Sequence, residues 1–154
     1  MTTHESKSPT ERMGIYKRLT DVPTEYRLSQ YAANYEGWDV WAEWASEATE
    51  EHTSDRFAMY VERTERSWKS HMTERSRHHA LATPTDVETW AATILQRCQP
   101  LSAYQIYFTK LEAFYTWLQY HPNHPHCYQP VWMAAAKGGE TGRIWNTKIE
   151  RSGF

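Results

Sequence analysis

The sequence predicts an all-α fold, and three observations carry that prediction. Apolar and aromatic residues recur at spacings of three and four along most of the chain, as one buried helix face requires. Glycine is scarce and proline falls between the periodic segments, where it ends helices. No segment competes with strand-like alternation, and no internal repeat is visible. A length of 154 residues makes one domain the default. The 40% hydrophobic content, with eight Trp and ten Tyr, supports a bulky aromatic core whose polar tips need partners.

The elements follow in order. Residues 1–20 are polar and aperiodic and are expected to be a flexible arm. Asp21-Val22-Pro23 reads as a helix start. Leu28, Tyr31, Tyr35, Trp38, Ala42 and Ala45 then predict one face of an additional N-terminal helix, which Gly37 weakens or bends and the acidic run Glu47–Thr53 ends. Ser54 is a good N-cap for a second helix, with Asp55 at its positive end. Its inner stripe is Ala58, Val61, Thr64/Glu65, Trp68 and Met72, and its outer face carries Arg56, Arg63 and Arg66, with Lys69 nearby. Ser76–Ala82 is a basic, histidine-containing loop.

Thr83-Pro-Thr-Asp opens a third helix with a cap, a proline at its first position and an acid in its first turn. Val87, Trp90, Ala91 and Ile94 form its inner face. Pro100-Leu-Ser102 breaks that helix and caps the next, in which Tyr104, Phe108, Leu111, Tyr115 and Leu118 face inward. The segment 122–130 is not regular helix. Val131–Lys137 gives one or two apolar turns, ended by Gly138-Gly139, and 140–154 is expected to be a basic tail outside a domain spanning 21–139.

Charge and cysteine content set bounds on function. The net charge of −2 hides an asymmetry: residues 1–53 carry five Lys/Arg against ten Asp/Glu, and residues 54–154 carry twelve against nine. A region at +3 is not by itself a strong nucleic-acid signature. No run approaches the ~18 apolar residues of a membrane span, and MTTHESKSPTERMG lacks the apolar core of a signal peptide. Cys98 and Cys127 do not make a disulfide scaffold, so a reducing cytoplasm is expected.

The phrases Trp68, Thr83-Pro84-Thr85-Asp86-Val87, Leu101-Ser102, Leu111…Phe114-Tyr115-Thr116-Trp117-Leu118 and Tyr128-Gln129-Pro130-Val131 occur in a meaningful order. That order resembles the N-terminal core-binding domain of the tyrosine recombinase, or phage integrase, family, with Gln129 where the family favours Asn. The segment around Tyr31–Ala45 looks like the extension of haloarchaeal integrase-like proteins. The resemblance spans roughly Thr24 to Gly139. It implies a SAM-like helical bundle of four to five helices with the extra N-terminal helix. It also implies duplex DNA as partner, with a full-length recombinase or a second copy of the chain beside it on DNA. The gene would be carried by a virus or plasmid, and the compartment would be the cytoplasm of the host cell.

Family catalysis needs an Arg, a Lys, a His-x-x-Arg, a further His or Trp and a nucleophilic Tyr in a second domain. No His here has Arg three positions later, and the fifteen residues after Gly139 are too few for that domain. The expectation is therefore a binding protein that does not cleave DNA. It would regulate site-specific recombination, or form the N-terminal part of a longer integrase.

By resemblance, the helix from Ser102 to Tyr120 enters the major groove. There Gln105, Thr109, Glu112 and Thr116 recur at helical spacing, with Lys110 beside them, and Gln and Thr suit base edges. Arg56, Arg63, Arg66 and Lys69 would reach phosphates, joined by Arg75 and Arg77 in the loop, and by Lys137, Arg143 and Lys148 in the tail. A different class of function, a protein adaptor docking through aromatic and acidic surfaces, is the alternative. His121, His124, His126 and Cys127 are metal-ligand types, but their spacing fits no familiar finger, so no metal is expected. No Gly-rich phosphate loop, nucleophile elbow or paired-carboxylate motif appears, and no cofactor is expected.

Overall fold

Gly37 divides the segment that the sequence predicts as one long helix. The computed structural model of the chain describes residues 16–152, with side chains through Lys148. Of the expected flexible arm, residues 1–15 lie outside the described residues. Leu19–Asp21, Thr24–Tyr26 and Leu28–Tyr31 form successive 3-10 turns, and α1 is a single turn, Ala32–Tyr35. Gly37 then adopts a φ of +75°, which side-chain-bearing residues rarely take. Asp39 starts a new helix by accepting the Ala42 N–H at 3.1 Å. This helix, α2, spans Val40–Glu51. The predicted single helix over 21–45 is thus corrected to turns followed by α2. Leu28, Tyr35, Trp41 and Trp44 are buried, but Ala42 of the expected stripe is exposed.

The next two helices start where their caps dictate. α3 spans Asp55–Glu74, and the Ser54 hydroxyl accepts the Phe57 N–H at 3.4 Å. Val61, Thr64, Trp68 and Met72 are buried along one side, as the periodicity predicts. α4 spans Pro84–Leu95 and opens on a full capping box. Thr83 Oγ1 accepts the Asp86 N–H at 3.2 Å, and the Asp86 carboxylate accepts the Thr83 N–H at 2.8 Å. Val87, Trp90, Ala91 and Ile94 are buried.

The rod that follows contains a feature that 3.6-residue periodicity does not anticipate. α5 (Pro100–Ser102) runs into a π segment, Ala103–Phe108, which continues as α6, Thr109–Tyr120. Pro100 sits in the first helical turn, so Gln99 is the N-cap position and Ser102 lies inside the helix; the expected Ser102 cap is corrected. A π turn holds more residues than an α turn, so side chains before and after it fall out of a common α-helical stripe. Thr64, fully buried on α3, donates to the Ile106 carbonyl in this widened stretch at 2.9 Å.

α7 spans Pro130–Ala136, and Gly138 ends it with a φ of +86°. The expected tail is a helix instead: α8 spans Gly139–Ser152 and packs against α4 and α7, with Ile144 and Trp145 buried. Its start is capped from a distant element. Glu88 on α4 accepts the Glu140 N–H at 2.8 Å, the Thr141 N–H at 3.0 Å and the Thr141 hydroxyl at 2.8 Å. Gly142 permits the close approach of α8 to α7, since a Cβ there would stand 3.2 Å from the Ala135 carbonyl.

The centre of the bundle is aromatic. Trp41 meets Phe114 at 4.8 Å between ring centres, and Trp68 meets Trp90 edge-on at 5.2 Å. Trp68 Nε1 and the Tyr115 hydroxyl each donate to the His79 carbonyl at 2.8 Å. The loop 76–82 is therefore a structural hub, with Ala80, Leu81 and Ala82 buried. The described residues are all-helical, without strands, and none of their helices is long and apolar enough to cross a membrane.

Candidate nucleic-acid interface

The outer side of α3 forms one wall of a trough. Its first hollow, of about 640 Å³, is lined by Arg56, Phe57 and Tyr60 from α3 and by Tyr104, Gln105, Thr109 and Lys110 from the opposite rod. A second hollow, of about 500 Å³, is lined by Arg63, Arg66, Ser67 and Glu74 from α3, by Trp90, Thr93 and Arg97 from α4 and its end, and by Tyr107. Trp90 Nε1 donates to Ser67 Oγ at 2.9 Å and joins α3 to α4 there. Arg56, Arg63, Arg66, Arg97 and Lys110 thus border the hollows, against one lining carboxylate, Glu74.

These cations differ in how they are held. Arg56, Arg63, Arg66 and Arg97 are exposed and take part in no ion pair among the described residues. The Arg63 guanidinium lies 6.0 Å from the Tyr107 ring centre. Lys110 Nζ donates to the Gln105 carbonyl at 2.9 Å and to Thr109 Oγ1 at 3.1 Å. It also sits 5.5 Å from the Phe57 ring and 5.3 Å from the Tyr60 ring. Burial lowers the Lys110 pKa, and no carboxylate there offsets it. An anion in this hollow would therefore gain a cation that the protein itself leaves uncompensated.

Several residues expected to meet DNA are occupied elsewhere. Lys69 Nζ lies 2.8 Å from Asp39 and 2.6 Å from Glu65, and these carboxylates hold its pKa up against burial. Arg75 and Arg77 both pair with Asp86, which is fully buried, Arg77 at 3.3 Å. Both arginines thus neutralise a buried cap, and a phosphate would compete with Asp86 for them. Lys148 pairs with Glu112 at 3.0 Å and lies 4.6 Å from the Trp145 ring centre. Arg143 pairs with Glu140 at 3.6 Å. Ser102 and Lys137 line neither hollow.

The predicted reading stripe is divided between two faces of the rod. Gln105 and Thr109 line the first hollow. Glu112 instead accepts from Trp132 Nε1 at 2.8 Å and from Lys148, while Thr116 donates to the Glu112 carbonyl at 2.8 Å and accepts from buried Gln129 at 3.3 Å. Thr116 is thus removed from the candidate surface. Arg97, Tyr60 and Tyr107 are the additions. A sequence signal existed for Arg97, because Trp90, Thr93 and Arg97 stand at i, i+3 and i+7 on one helix side.

The histidine-rich turn behaves as packing. His126 is buried and its Nε2 bonds the Ala80 carbonyl at 2.6 Å, while His124 Nδ1 bonds the Tyr35 hydroxyl at 2.6 Å. Among the described residues, no group of three or more His, Cys, Asp or Glu is placed to hold a metal ion. Comparison with known proteins adds nothing to this geometry: no family model matches the chain, and no curated protein or solved structure matches it significantly.

Proposed function

We propose that this chain is a non-catalytic, cytoplasmic DNA-binding module, as the integrase resemblance implies, and that the α3 trough is its contact with duplex DNA. The reading rests on one observation above the rest. Arg56, Arg63, Arg66, Arg97 and Lys110 border the two hollows beside α3, and Glu74 is the single carboxylate lining them. Arginine forks match phosphate oxygens, and exposed arginines without partners surrender little on binding them. Gln105 and Thr109 on the facing wall supply groups able to address base edges. In this role the module occupies or marks sites used in recombination of a mobile element, alone or beside a complete recombinase.

The test is equilibrium binding to a random duplex pool over a series of salt concentrations. Five phosphate contacts give a log–log salt slope of about −4.5. Replacing Arg63 and Arg66 with Ala should reduce its magnitude by about 1.8 and weaken all sequences alike. Absence of salt-dependent binding would overturn the DNA reading, and an unchanged slope in the double variant would overturn the choice of trough.

A further inference from the structure

A third hollow, of about 510 Å³, lies between α2 and the segment from Trp117 to His124, away from the residues of the α3 trough. Its character is opposite to that of the trough. Glu43 and Glu47 project from one side of α2 at i and i+4, and no Lys or Arg lines the space. Trp38 and Trp117 supply indole rings, with His124 between them at 5.0 Å from Trp38 and 5.5 Å from Trp117.

The ring geometry leaves aromatic surface uncovered. Tyr35 stacks on Trp38 at 4.8 Å and His124 stacks on it at 5.0 Å, yet Tyr35 and His124 are only 5.8 Å apart. Rings on opposite faces of an indole would be nearly twice that distance from each other. Both therefore cover the same face of Trp38, and neither covers the other. Trp117 is held in place by donating from Nε1 to Glu47 Oε2 at 3.0 Å, which leaves the second Glu47 oxygen and the whole Glu43 carboxylate available to a ligand.

The charge of the hollow is negative at neutral pH. The Tyr35 hydroxyl, whose pKa burial pushes up to about 12, stays protonated and hydrogen-bonds His124 Nδ1 at 2.6 Å. Burial lowers the His124 pKa, which favours the neutral ring. His121 is the other imidazole lining the space.

We propose that this hollow is a binding site for a guanidinium group, stacked on indole and forked onto Glu43 and Glu47. A planar guanidinium uses both features at once: its face lies on an aromatic ring, and its edge donates paired hydrogen bonds to carboxylates. The group comes from a free guanidino compound or from an arginine side chain of a partner protein. Its chemistry is the same in both.

The experiment is a titration at pH 8 of the full chain with agmatine and with a short capped peptide holding one arginine, followed by Trp fluorescence and calorimetry. Saturable binding of either probe is expected. Tighter binding of the peptide assigns the site to a protein partner, and tighter binding of agmatine assigns it to a small molecule. The same peptide with neutral citrulline in place of arginine should bind at least tenfold more weakly. Glu43→Gln/Glu47→Gln changes two exposed positions and keeps an acceptor for Trp117, so the fold is retained, as circular dichroism checks. This variant should lose at least tenfold in affinity. No saturation by either probe, equal binding of the citrulline peptide, or full affinity in the double variant each overturns the proposal.

Discussion

Lowering the pH from 7.5 to 5 should destabilise this protein by about 4 kcal/mol through two buried histidines. His79 is the first. Burial, then the neighbouring His78 and Lys69, depress its pKa from 6.5 to about 3. The structure explains why it resists a proton: its Nε2 accepts the Trp41 N–H at 3.2 Å, and protonation would place two donors against each other. His126 is the second, depressed from 6.5 to about 4 mainly by burial. Its Nδ1 is buried with no partner among the described residues, so a proton there would be a buried charge without an acceptor. Both folded pKa values lie below the unfolded value, so the unfolded chain binds more protons as pH falls. The stability is complete above about pH 6.5, declines below it, and stops declining only beneath the folded values. At pH 5 each group sits 1.5 units under its unfolded pKa of 6.5, which corresponds to about 2 kcal/mol apiece. His71, His78 and His124 are shifted in the same direction and add to the loss. Urea denaturation at half-unit pH steps measures it directly. A midpoint that stays flat between pH 7.5 and 5 would refute the reasoning, as would an unchanged pH slope in His79→Gln/His126→Gln.

Two further expectations concern long-range caps. Asp86→Ala removes the N-cap box partner of Thr83 and the shared partner of Arg75 and Arg77, so a loss of about 3 kcal/mol is expected in urea denaturation. The half-solvated arginines can turn to water, which places the value at the lower end for a buried pair; a loss under about 1 kcal/mol would contradict the assignment. Glu88→Ala deprives the first turn of α8 of three hydrogen bonds, so about 2–4 kcal/mol and part of the helical signal should disappear. Limited proteolysis should then cut near Gly138–Thr141 first, and wild-type resistance there would count against the capping role.

The sequence was most legible where local chemistry decides the outcome. Ser54 and Thr83 cap as their types and positions predict, and the stripe Val61, Thr64, Trp68, Met72 is buried. It was least legible where a distant side chain decides. Nothing within 139–152 announces that Glu88 will supply its cap, so a polar, glycine-containing stretch reads as a tail. Asp86 reads as a first-turn acid favouring the helix dipole, while its full burial and its two arginines follow from the loop 75–77 folding back over it. Among the candidate surface residues, Arg56, Arg63 and Arg66 were readable as exposed positions on α3. Lys69, only three residues beyond Arg66, was not, because Asp39 comes from another element.

Glu112 and Thr116 leave the predicted reading stripe because partners on other elements hold them. The inner face of α3 places Thr64 against the Ile106 carbonyl in the widened stretch. That bond ties the rod to α3 beside the residues that line the hollows. Tyr104, Gln105, Tyr107 and Thr109 line the trough, while Glu112 and Thr116, four and eight residues past Phe108, turn toward α7 and α8. Trp132 and Lys148 hold the Glu112 carboxylate away from the trough, and the first hollow retains Arg56 and Lys110 without an acid. The positive character of the candidate interface therefore depends on α7 and α8, which draw the one acid of the predicted stripe away from it.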